Sequence, residues 1–308
     1  MVPLILALAA ASSPTPAKLR RSEHHVTTTD ESRVFVRRVR PEGKARGAVV
    51  LTHGAGSPAS AVWDLPFGYS VMEALSRQGY DTFSVDVRGF GGSSTPAALK
   101  GPAEGSPAVR AADVMPDVDA AVRFAQKRSG QARVDLVGWS WGCVVAGLYA
   151  SRHPDEIRRM VLFAPVYDRR WPRRHRTEGV WRSESRELHM KWLDPEKEDP
   201  EVRKAYVAAL FRFVPDGGDL VLPNGPYRDV YGPDAPVWTA TTVTAPTLVV
   251  RGSEDRASLR EPALRLFEAL ASPERAYLEL AGAGHFAFRT RRAPELRRAI
   301  VSFLTDPE

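Results

Sequence analysis

Hydrophobic positions fall into two repeating patterns along this chain. Short apolar runs at 34–40, 48–52, 134–137, 160–164, 247–252 and 276–280 are bounded by Gly, Pro and polar clusters, which predicts strands. Between them, residues 69–76 and 113–128 carry apolar side chains at helical spacing, and Val114, Val118, Ala121, Val122 and Ala125 mark one face of the second helix. Gly79 ends the first helix before the next strand. Strand and helix therefore alternate, the order expected of a parallel sheet. A loop at 93–109, rich in Pro, Gly and Ala, interrupts this order.

From 164 to 243 the pattern changes: strand signals vanish and aromatic residues multiply. Trp181, Leu188 and Trp192 fall on one helical face. Val202, Ala205, Tyr206, Ala209, Leu210 and Phe213 fall on another, which stops at Pro215 and Gly217-Gly218. Such amphipathic helices must bury their stripes, and together the aromatic side chains imply an apolar pocket.

Composition narrows the class. The 308 residues suffice for a full core, and 43% hydrophobic with 26% charged residues is ordinary for a globular protein. No apolar run reaches the roughly 18 residues needed to span a membrane. A single Cys excludes an internal disulfide, and Cys143 reads as a small residue buried at a tight helix–sheet contact. The net charge of +6 comes largely from scattered Arg; one cluster (Arg169, Arg170, Arg173, Arg174, Arg176) reads as a solvated face, and no nucleic-acid motif accompanies it. Residues 1–17 hold a short apolar stretch without a charged flank, half resembling a secretory signal, so cytoplasmic and exported locations both stay open.

The candidate chemistry lies at the ends of the predicted strands. Gly138-Trp139-Ser140-Trp141-Gly142 follows one strand and precedes a helix-compatible stretch, which is the context of a nucleophile elbow. Asp255 follows the strand at 247–252, and His285 follows the strand at 276–280. In a parallel sheet the loops beyond the strand carboxyl ends share one edge, so these three residues can converge. His53-Gly54-Ala55-Gly56-Ser57 follows another strand and leaves backbone N–H groups accessible.

Taken together, these motifs resemble the α/β-hydrolase family, whose nucleophile, acid and base appear in this chain order. Asp86-Val87-Arg88-Gly89-Phe90-Gly91-Gly92-Ser93 and Arg152-His153-Pro154 add to the likeness, which runs from about Arg33 to the C-terminus. It implies a mostly parallel sheet flanked by helices, with a tail or signal segment at 1–32, a core at 33–165 and 243–308, and a helical cap at 166–242. Ser140 would be the nucleophile, His285 the base and Asp255 the acid, with Asp168 the rival acid. The N–H groups of Trp141 and of Ala55, or else Gly56, would form the oxyanion hole. Trp139, Trp181, Trp192 and Phe286 would line the pocket.

His53 reads as structural, and His24, His25, His175 and His189 lack chemical company. No metal or other cofactor is expected, because no His pair has ligand spacing beside a carboxylate. A Ser nucleophile disfavours epoxide opening and dehalogenation, for which relatives use Asp. The expected reaction is hydrolysis of an ester, lactone or thioester of a small apolar molecule, with carbon–carbon bond hydrolysis as a lesser option. The elbow is similar to that of prolyl aminopeptidases, so amide cleavage is the alternative, although their His-Gly-Gly-Pro-Gly loop is absent here. A non-catalytic binding protein on the same fold is the other alternative.

Overall fold

The computed structural model describes residues 19–167 and 178–306. Their elements in chain order are β1 (Arg20–Thr27), β2 (Arg33–Arg40), β3 (Gly47–Thr52), α1 (Ala59–Trp63), α2 (Val71–Arg77), β4 (Tyr80–Asp86), α3 (Met115–Ser129), β5 (Val134–Trp139), α4 (Trp141–Arg152) and β6 (Ile157–Phe163). Next come β7 (Trp181–Glu184), α5 (Arg186–Lys191), α6 (Pro200–Leu210), β8 (Leu220–Pro223) and α7 (Gly225–Tyr231). The chain finishes with β9 (Thr247–Gly252), α8 (Arg260–Ala269), β10 (Arg275–Leu280) and α9 (Ala293–Thr305).

Eight strands form one sheet in the order β1-β2-β4-β3-β5-β6-β9-β10, antiparallel at β1–β2 and β2–β4 and parallel elsewhere. The central strands β3, β4, β5 and β9 are buried at every position, as parallel strands covered on both faces must be. Their apolar positions, among them Val50, Phe83, Leu136 and Val249, form the core with the apolar sides of α3, α4 and α9.

The chain moves outward from β3 to β4, then crosses back to β5 on the other side of β3. This reversal opens a crevice at the carboxyl edge of the sheet, where ligands bind in folds of this kind. The register pairs Thr52 with Gly138, which brings the loops after β3 and β5 side by side. Behind them Asp86, at the end of β4, accepts the backbone N–H of Ala59 (2.7 Å) and of Gly92 (3.1 Å) and ties two loops together. Burial raises its carboxyl to about 6.

Three expectations need correction. The supposed tail reaches into the sheet, since β1 pairs with β2 along its whole length. Its sequence, Arg-Arg-Ser-Glu-His-His-Val-Thr, shows no apolar alternation because the strand is a half-exposed edge. The stretch between β6 and β9 is not purely helical: β7 and β8 make a separate antiparallel pair. Trp181 therefore lies on a strand, and the helix that carries Leu188 begins only after Ser185, whose side chain accepts the Leu188 N–H.

Candidate active site

Ser140 occupies the sharp turn from β5 into α4, with φ 56° and ψ −119°. A non-Gly residue held there is strained, and the surroundings must enforce it. They do so by leaving no room: a Cβ at Gly138 would lie 2.5 Å from Gly142 O, and one at Gly142 would lie 2.7 Å from His53 O. Cys143 fits the same tight contact, its thiol directed at Gly138 O and Phe163 O, each at 3.2 Å. Burial pushes that thiol well above its ordinary pKa and leaves it inert.

The loops after β9 and β10 bring Asp255 and His285 to the same edge. His285 Nε2 lies 3.0 Å from Ser140 Oγ, while Nδ1 lies 2.9 Å from Asp255 Oδ2. Asp255 Oδ1 accepts the backbone N–H groups of Ala257 (2.7 Å) and Ser258 (2.8 Å). Burial opposes ionisation of this carboxyl, but the facing imidazole and the two N–H donors outweigh it and hold the group below its usual value. Trp139 Nε1 donates to His285 O (3.0 Å), so the residue before the serine also fixes the backbone of the histidine loop. Asp168, the rival acid, lies outside the described residues, as do Trp171, His175 and the Arg169–Arg176 cluster.

Ser140 opens into a cavity of about 770 Å³. Ala55, Gly56, Trp139, Trp141, Trp192 and Phe286 line it together with the serine. Trp181 does not belong to it. Its Nε1 donates to Gly101 O (3.0 Å), away from the cavity, because β7 faces the loop after β4 there.

His53 is buried, with Nδ1 directed at Gly54 O (2.8 Å) and Nε2 accepting the Val87 N–H (3.2 Å). Burial lowers its pKa to about 4, so the ring is neutral near pH 7 and braces the loop.

Sequence reasoning missed several wall residues. His189, set aside as isolated, is buried on the cavity wall with Nε2 3.0 Å from Glu184 Oε2. Glu184 Oε1 in turn accepts from Arg182 Nε (2.6 Å). Although burial disfavours the charged form, these neighbours hold the Glu184 carboxyl down to about 2. The two residues stand on different elements five positions apart, so no helical or strand period links them. Tyr206, Tyr227 and Tyr231 also line the cavity, and all three belong to the aromatic residues of 164–243 whose number implies an apolar pocket. The Tyr206 hydroxyl meets Ser57 Oγ at 3.0 Å. Glu254 is exposed, pairs with Lys197 (2.9 Å) and lines the cavity.

A mostly parallel, eight-stranded sheet with a strained serine at the β5–α4 turn defines an α/β-hydrolase, and the protein is a hydrolase of that superfamily. The family model for serine aminopeptidases, S33, matches residues 43–290, and the chain belongs to that family.

No curated protein matches the chain in sequence. Among solved structures, the thioesterase domain from the curacin biosynthetic pathway is similar at 14% identity and a TM-score of 0.66, covering 92% of this chain and 99% of that one. Epoxide hydrolase A from Mycobacterium thermoresistibile is 19% identical with a TM-score of 0.66, over 94% and 99% of the two chains. The 2-hydroxy-6-oxo-6-phenylhexa-2,4-dienoate hydrolase from Rhodococcus sp. strain RHA1 is 18% identical with a TM-score of 0.61, over 93% and 99%. At these identities the likeness is one of fold.

Proposed function

We propose that the protein is a serine hydrolase that cleaves an ester, lactone or thioester of a largely apolar small molecule through an acyl-enzyme on Ser140. The observation that carries this reading is the continuous chain Ser140 Oγ, His285, Asp255 at the edge of an aromatic-walled cavity. A serine hydroxyl is un-ionised at neutral pH, so His285 Nε2 takes its proton as Oγ attacks the substrate carbonyl carbon. Asp255 holds the imidazole in the required tautomer and stabilises the imidazolium. The backbone N–H groups of Ala55 and Trp141 receive the negative charge that forms on the carbonyl oxygen. His285 returns the proton to the leaving alcohol or thiol, then activates a water that releases the acid and restores Ser140. The stretch between β6 and β9 serves as the cap, supplying Trp192, Tyr206 and the α7 tyrosines as apolar wall.

The family description favours a second reading, cleavage of an N-terminal residue from a peptide. That chemistry needs an anionic site for the substrate ammonium. Glu184 and Glu254 are carboxylates on the cavity wall, yet Glu184 is engaged by Arg182 and His189 and Glu254 by Lys197. This compensation supports the ester reading. Steady-state kinetics on paired substrates decide between the two: kcat/KM for medium-chain acyl esters should exceed that for prolyl and other aminoacyl anilides by at least about 100-fold. The reverse ranking would establish the aminopeptidase, and no turnover of either class would leave a binding protein.

A further inference from the structure

Arg182, in β7, is almost fully buried and does not line the cavity, yet its guanidinium joins the inserted segment to the loop after β3. Nε donates to Glu184 Oε1 (2.6 Å) and Nη1 to Pro223 O (2.8 Å), both within the insertion. Nη2 reaches out of it to Ala55 O (2.9 Å). The Tyr227 ring packs on the guanidinium carbon at 4.3 Å. Such a planar, five-donor group can hold several acceptors in one geometry, which a flexible ammonium cannot.

Ala55 lies between two peptide planes. In a planar trans peptide the N–H and C=O point in opposite directions, so a hydrogen bond at one end aims the other. The plane before Ala55 is held by His53 Nδ1 on Gly54 O (2.8 Å), which directs the Ala55 N–H. The plane after it is held by Arg182 on Ala55 O. Gly54 and Gly56 flank Ala55, and such permissive neighbours leave the peptide free to turn unless both planes are fixed.

We infer that Arg182 is a positioning residue for the oxyanion hole: by holding Ala55 O it fixes the peptide plane after Ala55, and with His53 holding the plane before it this locks Ala55 in the conformation that presents the N–H groups of the loop to the substrate oxyanion, so the hole is complete only when the β7–β8 pair is seated. This rests on Ser140 acting as proposed above. It also gives the buried pair Glu184 and His189 a role, that of orienting the guanidinium from behind.

Arg182→Lys tests it, because lysine keeps a cation beside Glu184 while one ammonium cannot hold Glu184, Pro223 O and Ala55 O together. Arg182→Met serves as the stronger variant. For each, kcat and KM are measured on one ester, with inhibition by a trifluoromethyl ketone, which adds to the serine and places an oxyanion in the hole. Inhibition by the matching hydrocarbon, which occupies the pocket without forming an oxyanion, is the control, and thermal melting reports the folded fraction.

The expected result is a fall in kcat of about tenfold or more, with trifluoromethyl ketone affinity weakening in step. KM and hydrocarbon affinity should stay within about threefold. Folded Arg182→Lys protein with unchanged kcat and ketone affinity would overturn the inference. So would equal losses for ketone and hydrocarbon, which would make Arg182 part of the pocket wall. If Ser140→Ala retains turnover, or the wild type resists the ketone, the reading of Ser140 fails instead.

Discussion

The two oxygens of Asp255 are unequally loaded. Oδ1 accepts the N–H groups of Ala257 and Ser258 and also lies 3.1 Å from His285 Nδ1, whereas Oδ2 faces His285 Nδ1 alone at the shorter distance of 2.9 Å. An amide here would keep its carbonyl oxygen on the two N–H donors and turn its NH₂ toward His285. That forces Nδ1 to accept and puts the ring proton on Nε2, the atom that must receive the proton of Ser140. Asp255→Asn should therefore lower kcat by about 10⁴ at neutral pH with little change in melting temperature. Steady-state rates of the purified variant check this, and an unchanged kcat would transfer the acid to another carboxyl, Asp168 being the first to try. Ser140, Asp255 and His285 were legible as candidates because each follows a strand visible in sequence; β5 and β9 are buried throughout, whereas β10 is exposed or half-exposed except at Leu280. Glu184 and His189 were not, because their contact is made across the β7–α5 turn between residues with no shared period.

At the scale of elements, the sequence showed the strands of the main sheet from β2 onward and the helices α2, α3 and α4 beside them, but not α8 and α9. It hid the pieces whose stability comes from pairing with a neighbour. β1 is polar along its length, and β7 and β8 have four residues each, too few to display an alternation. Reading Trp181 onto a helix with Trp192 assigned both to the pocket, whereas only Trp192 reaches it. The two variants should therefore differ. Trp192→Ala removes apolar wall remote from the reacting carbonyl, so kcat/KM should fall for long or bulky esters and hold for an acetate ester, at about 0.8 kcal/mol for each methylene that loses its contact. Trp181→Ala should leave the size profile as in the wild type. Profiles over a series of linear and bulky esters measure this; a flat response in Trp192→Ala would mean that its ring only packs the insertion.

For the molecule as a whole, the loops at the carboxyl edge of the sheet carry Ser140, Asp255 and His285, and the insertion shares the cavity wall with them. Arg182 of the insertion crosses the seam to Ala55 O, and Glu184 is the buried carboxylate that accepts from it. Its folded pKa, about 2, lies below the ordinary carboxylate value, so the folded state binds the proton less readily than the unfolded chain. The stabilisation is fully present above the unfolded pKa and is lost as pH falls toward about 2. The melting-temperature gap between wild type and Glu184→Gln should be constant above pH ~4.5 and should narrow as the pH falls below it. Calorimetry over that range provides the check. A gap that widens toward acid would mean that Glu184 is protonated in the fold.

The central claim is that Ser140 becomes acylated, and rapid-quench mass spectrometry during turnover of an activated ester measures it directly. The expected result is one acyl group per chain, mapped to the peptide that contains Ser140, accumulating in an initial burst of leaving group when deacylation is the slow step. It should persist in a variant with His285 replaced by Ala if that variant is acylated by a highly activated donor, and be absent from Ser140→Ala. Hydrolysis at the wild-type rate by Ser140→Ala, or an adduct mapped to any other residue, would contradict the account.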